Sequence, residues 1–199
     1  MKALYYLSLS LTLLASPAYA QLQDDFSDGD FSSNPEWLGD TGRFTVTDGE
    51  LRLLDTDPGS NNESALYVPA PTSTDVATTW TFYVRTEFSP SSSNFARIYL
   101  SASSPDLKGA LNGYFVRIGG ISGSDDAVEL FRQDGTASTL LISGATGAVG
   151  NDPALARIRV TRSAAGEWAL ETDYSGGNGF TLEGTATDLT YPTGSFFGW

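Results

Sequence analysis

The chain of 199 residues has no cysteine and no histidine, and its two lysines leave arginine as nearly the only cation. Each absence removes a chemistry. There can be no Ser-His-Asp triad, no thiol nucleophile and no disulfide. Zinc, copper and iron lose their usual nitrogen and sulfur ligands, so any metal would be held by oxygen, which suits calcium or magnesium. Acidic side chains number 24 against 11 basic ones, a net charge of −13. Such a chain repels phosphate backbones, and no nucleic-acid partner is expected.

The only long apolar run lies at the start. Met1-Lys2 gives a basic opening, Ala3 to Ala15 is apolar apart from Ser and Thr, and Ala18-Tyr19-Ala20 follows Ser16-Pro17. This reads as a secretory signal peptide over residues 1–20, cut between Ala20 and Gln21. Nothing after Gln21 is apolar enough to span a bilayer, so membrane insertion is not expected. Residues 21–199 fit a single exported domain, secreted or displayed at the cell surface.

Within that domain helical periodicity is absent and period-2 alternation recurs. Phe44 to Leu53 reads as a hairpin around Asp48-Gly49, a pair suited to positive φ. Thr79 to Phe88 sets Trp80, Phe82, Val84 and Phe88 against Thr81, Tyr83, Arg85 and Glu87. Later segments set Ile98 and Leu100 against Arg97 and Tyr99, then Tyr114, Val116 and Ile118 against Phe115 and Arg117. Val128 and Leu130 oppose Glu129 and Phe131, and Ile158 and Val160 oppose Arg157, Arg159 and Thr161. Pro69 to Thr74 and Ser89 to Asn94 read as loops, as does Asp55 to Glu63, which gathers oxygens but fails the EF-hand spacing. About a dozen strands, each with one apolar face, predict an all-β fold: an antiparallel two-sheet jelly-roll sandwich.

Gly113 to Gly119, Asp126 to Gly135, and Ala156 to Arg162 with Gly166-Glu167-Trp168 resemble a known domain type. It is the concanavalin A-like, laminin G-type sandwich at the N-terminus of large exported Bacteroidetes proteins, many with lamin-tail domains. The resemblance spans most of residues 24–199 and rests on strand patterns. It implies a Gram-negative exporter and a non-catalytic module for carbohydrate binding or adhesion, whose partners are glycans or other domains of the same polypeptide. Relatives continue beyond the position of Trp199. A fragment lacking its closing C-terminal strand is therefore expected, with Asp24 to Phe31 an opening strand left without its partner.

Three sites follow as candidates. Sugar recognition calls for aromatic faces beside planar polar groups, and the non-core strand faces offer Tyr83 and Arg85, Arg97 and Tyr99, Phe115 and Arg117, and Glu129 and Phe131. If those strands are neighbours, the four sets form one patch. Structural calcium is expected, if anywhere, at the acidic N-terminal run through Asp25, Asp28 and Asp30; no other cofactor is implied. Retaining glycosidases on such sandwiches space carboxylates as Glu-x-Asp-x-x-Glu, about 5 Å apart. Here Glu171-Thr172-Asp173 gives the first half, but Gly176 occupies the acid position, so no catalytic set is expected. Trp80 and Trp168 read as core, and Trp37 as a loop anchor.

Overall fold

A computed structural model describes residues 21–54 and 62–199. The expected signal peptide and most of the expected 55–63 loop lie outside the described residues. Thirteen strands run in chain order: β1 (Leu38–Gly39), β2 (Phe44–Thr47), β3 (Glu50–Leu53), β4 (Leu66–Ser73), β5 (Thr78–Thr86), β6 (Ala96–Ala102), β7 (Leu111–Ile118), β8 (Val128–Gly135), β9 (Ala137–Ser143), β10 (Ala154–Arg162), β11 (Glu167–Asp173), β12 (Thr181–Thr187) and β13 (Thr193–Gly198). They form a seven-stranded sheet in the order β1-β4-β13-β6-β7-β8-β9 and a four-stranded sheet in the order β12-β11-β10-β5. The small β2–β3 sheet is the expected hairpin, with Asp48 at φ 56° and Gly49 at φ 74°. All named strand pairs are antiparallel.

The alternation read from the sequence selects the faces correctly. Ile98, Leu100, Tyr114, Val116, Ile118, Val128 and Leu130 point from the large sheet into one core. Ala156, Ile158, Val160, Trp168 and Leu170 meet them from the small sheet, flanked by Trp80, Phe82 and Val84. Trp80 and Trp168 stack there, 5.8 Å between centroids and 8° between planes. Full burial of each Leu, Ile or Val contributes about 1.5–3 kcal/mol, which makes this shared layer the main adhesive between the sheets.

Asp188 ties the layers at one edge. It accepts a hydrogen bond from the Tyr114 hydroxyl at 2.6 Å and another from Arg132, while its backbone carbonyl accepts from Trp168 Nε1 at 3.0 Å. Burial opposes the Asp188 charge, but Tyr114, the Thr190 amide and hydroxyl, and Arg132 together hold its carboxyl below the ordinary value.

Two expectations change. Of the expected Pro69 to Thr74 loop, Pro69 to Ser73 is the second half of β4 and only Thr74 lies in a turn. β1 pairs only with Leu66 and Tyr67, so beyond them β4 has a free edge, where proline's missing N–H costs no ladder bond. Asp24 to Phe31 forms no strand. Phe26 instead packs on Trp37 and Trp199, and the Trp37 indole donates to Asp24 at 2.8 Å. The last strand, β13, lies inside the large sheet between β4 and β6.

Candidate functional site: an open cleft across the four-stranded sheet

The outward positions of the small sheet line up in rows. Thr79, Thr161, Ala169 and Thr185 are successive register partners across β5, β10, β11 and β12. Partners directly opposite in an antiparallel sheet share a face, so these four short side chains form one shallow trough across every strand. Beside them lies a second row in which Glu167 faces Thr187, and Ser163 and Ala77 also line the cleft. The two rows floor an open cleft of about 830 Å³.

The wall is taller. The next row is Thr81, Arg159, Glu171 and Leu182, brought level by a bulge at Leu170/Glu171. The Arg159 guanidinium forks onto Glu171 through hydrogen bonds of 2.7 and 2.6 Å and lies 4.2 Å from the centroid of Phe180. Beyond it, Tyr83, Arg157 and Asp173 share a row, with Arg157 5.9 Å from the Tyr83 ring. Tyr83 keeps 39% of its surface exposed and Leu182 56%. The cleft's lining combines hydroxyl donors and acceptors with methyl groups, and Tyr83 stands exposed two rows away on the same face. That mixture suits a polyhydroxylated chain.

The carboxylates of this face are committed. Arg159 holds Glu171 below the ordinary carboxylate range, chiefly through its hydrogen bond. The Ser175 hydroxyl, with the Ser175 and Gly179 amides, does the same for Asp173. At the position where the glycosidase spacing needs an acid, Gly176 has φ +76°, and an added Cβ would sit 3.0 Å from the Tyr83 ring. Both carboxyls are thus held in their ionised form by these partners.

The expected patch divides between the two sheets. Tyr83 and Arg85 lie on the small sheet, where Arg85 pairs with Glu87 at 3.0 Å. Arg97, Tyr99, Phe115, Arg117, Glu129 and Phe131 lie together on the large sheet, because β6, β7 and β8 are adjacent. The four sets therefore do not make one surface. Nor are the large-sheet rings open platforms: Tyr99 and Phe115 are each 2% exposed, packed in a second cluster with Leu107, Leu111 and Ala65. The Tyr99 hydroxyl donates to Gln133 at 2.7 Å beneath that cover. Sequence reasoning missed the threonine trough. Its trace was present in Thr79, Thr81 and Thr161 at outward positions, but only strand order makes them a row.

The N-terminal carboxylates are not gathered either. Asp25 accepts from the Ser27 amide at 3.0 Å and Asp28 from the Asp30 amide at 3.0 Å. Asp30 accepts from the Ser33 hydroxyl and the Ser32 amide, both at 2.7 Å, which hold its carboxyl down to about 2. Each closes its own turn, and among the described residues no three acidic side chains converge to hold a metal ion. The expected calcium set of Asp25, Asp28 and Asp30 is therefore not brought together. The local reason is that Asp followed two residues later by a free amide satisfies itself.

No protein-family model matches the chain, and no curated protein matches it by sequence. Solved structures do. The carbohydrate recognition domain of Emp46p, in a potassium-bound form, superposes with a TM-score of 0.59 at 14% identity, covering 89% of this chain and 86% of that one. The exoplasmic/lumenal domain of VIP36, bound to Ca²⁺ and Man3GlcNAc, gives 0.57 at 14% identity over 81% and 75%. A legume lectin-like domain from Entamoeba histolytica gives 0.52 at 14% identity over 82% and 78%. These likenesses, with the two antiparallel sheets, establish a legume-lectin-like, concanavalin A-like fold for this chain.

Proposed function

We propose that the protein is an exported, non-catalytic carbohydrate-binding or adhesion module of a larger secreted or cell-surface protein, and that a sugar chain lies in the cleft of the four-stranded sheet. The observation that carries this reading is the Thr79-Thr161-Ala169-Thr185 row: small side chains in register across all four strands, three of them bearing hydroxyls, open to solvent. A sugar there would exchange hydrogen bonds with the threonines and set an apolar face toward Leu182 or Tyr83. The carbohydrate-bound and carbohydrate-recognition domains among the structural neighbours support it. Export is supported by the residue 1–20 pattern, and no helix among the described residues is long and apolar enough to cross a membrane. The Glu171–Arg159 pair and Gly176 weigh against a glycoside hydrolase.

A glycan array probed with the purified protein tests the reading. Neutral oligosaccharides are expected to bind, and Thr161→Tyr, which raises a ring from the trough floor, is expected to weaken that binding at least ten-fold. Equal binding by the variant would move the site elsewhere. No binding to any glycan would leave the fold without this function.

A further inference from the structure

The outer face of the large sheet holds a second arrangement, unrelated to the cleft. Arg97 and Arg117 are register partners on β6 and β7, so their side chains stand side by side on one face. Like charges directly opposite destabilise a sheet unless an anion compensates them. Among the described residues one ion pair offsets them. Glu129, the register partner of Arg117 on β8 and only 5% exposed, accepts a hydrogen bond from Arg117. Arg97 forms no ion pair among the described residues. Both Nε groups are buried without a partner. Arg97 hydrogen-bonds the Tyr99 hydroxyl, and Glu63 lies close enough to act on that hydroxyl too, without an ion pair to Arg97.

The two guanidinium groups are held in place by rings. Arg97 lies 5.2 Å from the Phe95 centroid and 5.7 Å from that of Phe115, and Arg117 lies 4.7 Å from Phe131 and 6.0 Å from Phe95. Gly120, at φ +83°, leaves room for Arg117: an added Cβ would come within 2.8 Å of its Cδ. Stacking fixes the plane of a guanidinium and leaves its N–H fork to read a planar oxyanion. A surplus of one buried-stem cation in a protein of net charge −13 is a local inversion of sign. It favours a single carboxylate over a polyanion, which the rest of the surface would repel.

We infer that Arg97, seated between Phe95 and Phe115 beside the Arg117–Glu129 pair, is a binding site for the carboxylate of a uronic acid. The choice of a sugar carboxylate rests on the carbohydrate-binding reading; the carboxylate itself rests on the arginines. The test is calorimetric titration of the purified protein with trigalacturonate, a neutral galactose trimer, sodium sulfate and a peptide with a free C-terminus. Trigalacturonate is expected to bind, Arg97→Gln to weaken it at least ten-fold, and Arg97→Lys to weaken it less. The same substitutions are expected to leave neutral-glycan binding unchanged, and Thr161→Tyr to leave trigalacturonate binding unchanged. A melting curve of Arg97→Gln matching that of the parent keeps the comparison valid, and the Lys variant serves if it does not. The site is overturned by trigalacturonate failing to bind at millimolar concentration, by binding indifferent to Arg97, or by binding lost only with the cleft variant. Sulfate or the peptide binding more tightly than trigalacturonate would overturn the assignment to a uronate. Failure of neutral glycans alone would sink the cleft and leave this site standing.

Discussion

The two sheets follow one grammar on their inner faces and opposite ones outside. On the large sheet the outward positions of β6, β7 and β8 carry Tyr99, Phe115 and Phe131. On the small sheet the outward positions carry Thr79, Thr81, Arg157, Arg159, Thr161 and Glu171. The first set must be covered, and it is: the segment between β6 and β7 lays Leu107 over it, strapped by a Lys108 hydrogen bond of 2.7 Å to Asp40, which also receives the Ala65 amide at 2.9 Å. The second set is content in water and stays bare. How much of each outer face stays bare is thus decided by the size and polarity of a few outward residues. The sharpest break of this contrast is a matched truncation. Phe115→Ala is expected to cost about 3–5 kcal/mol, as for a large ring removed from a packed core. Tyr83→Ala, at a comparable place on the bare face, is expected to cost less than about 1 kcal/mol. Urea unfolding of both variants decides; equal losses would mean that the cover is loose or that the bare face is packed.

The next effect lies at the edge where the sheets meet. Asp188→Asn removes the charge that Tyr114 and Arg132 both address and leaves Arg132 with one ion-pair partner, Asp134, and the Thr190 hydroxyl. A loss on the order of 2 kcal/mol is expected, from hydrogen bonds to a charged acceptor. The pH dependence has a definite sign. The folded carboxyl titrates below its ordinary value of 3.8. Its contribution is therefore full above about pH 4 and disappears as pH falls through the lower folded value. Parent and variant should converge in stability in that acid range, and urea midpoints between pH 6 and pH 2 would show it. At the other extreme, Tyr174 is pushed up to about 12, first of all by burial. Its contribution is present below pH 10 and fades as pH rises toward 12.

The sheet faces were legible in the sequence because period 2 is a local property: each residue's neighbours two positions away reveal its side. Ile158, Val160 and Trp168 pointed inward as the alternation required. Strand order was not legible, because which strands become neighbours depends on long-range pairing. The expected patch therefore broke at β5, which pairs with β10 rather than with β6. Cover was not legible either. Phe115 and Phe131 alternate as outward residues in any reading, and only the fold shows that Leu107 and Leu111 lie with them. The prolines of β4 misled for a related reason, since their tolerance depends on a free edge that β1 leaves beyond Tyr67.

A smaller effect on stability with a larger one on binding would sharpen the contrast. Thr161→Tyr adds a ring to a solvent-facing position at the centre of the small sheet, and its effect on stability is expected within about 1 kcal/mol. Its effect on neutral-glycan binding is expected to be ten-fold or more, because the ring would stand in the trough between Thr79 and Ala169. An enlargement on the covered face should do the reverse. Gly120→Ala presses a Cβ toward Arg117 and forces a side chain into positive φ, so it should lower stability and spare the cleft.

The smallest expected change is also the one that tests what the bare face is for. Glu171→Gln keeps the shape of the side chain and removes its charge, leaving Arg159 over Phe180 with a neutral partner. The pair is partly exposed, 36% for the Arg159 side chain, so solvent screens it and the loss of stability should stay below about 1 kcal/mol. Glu171 titrates below its ordinary value of 4.5, so even this loss is full above that pH and fades as pH falls through the lower folded value. If the carboxylate served as a nucleophile, the same substitution would abolish turnover of a glucan that the parent protein cleaves. If it only holds Arg159 upright as the wall of a binding cleft, neither protein releases reducing sugar from laminarin and glycan affinity drops by a few-fold at most. Incubation of both proteins with laminarin, followed by a reducing-end assay, separates a wall from a catalyst at the residue where the two readings of this face meet.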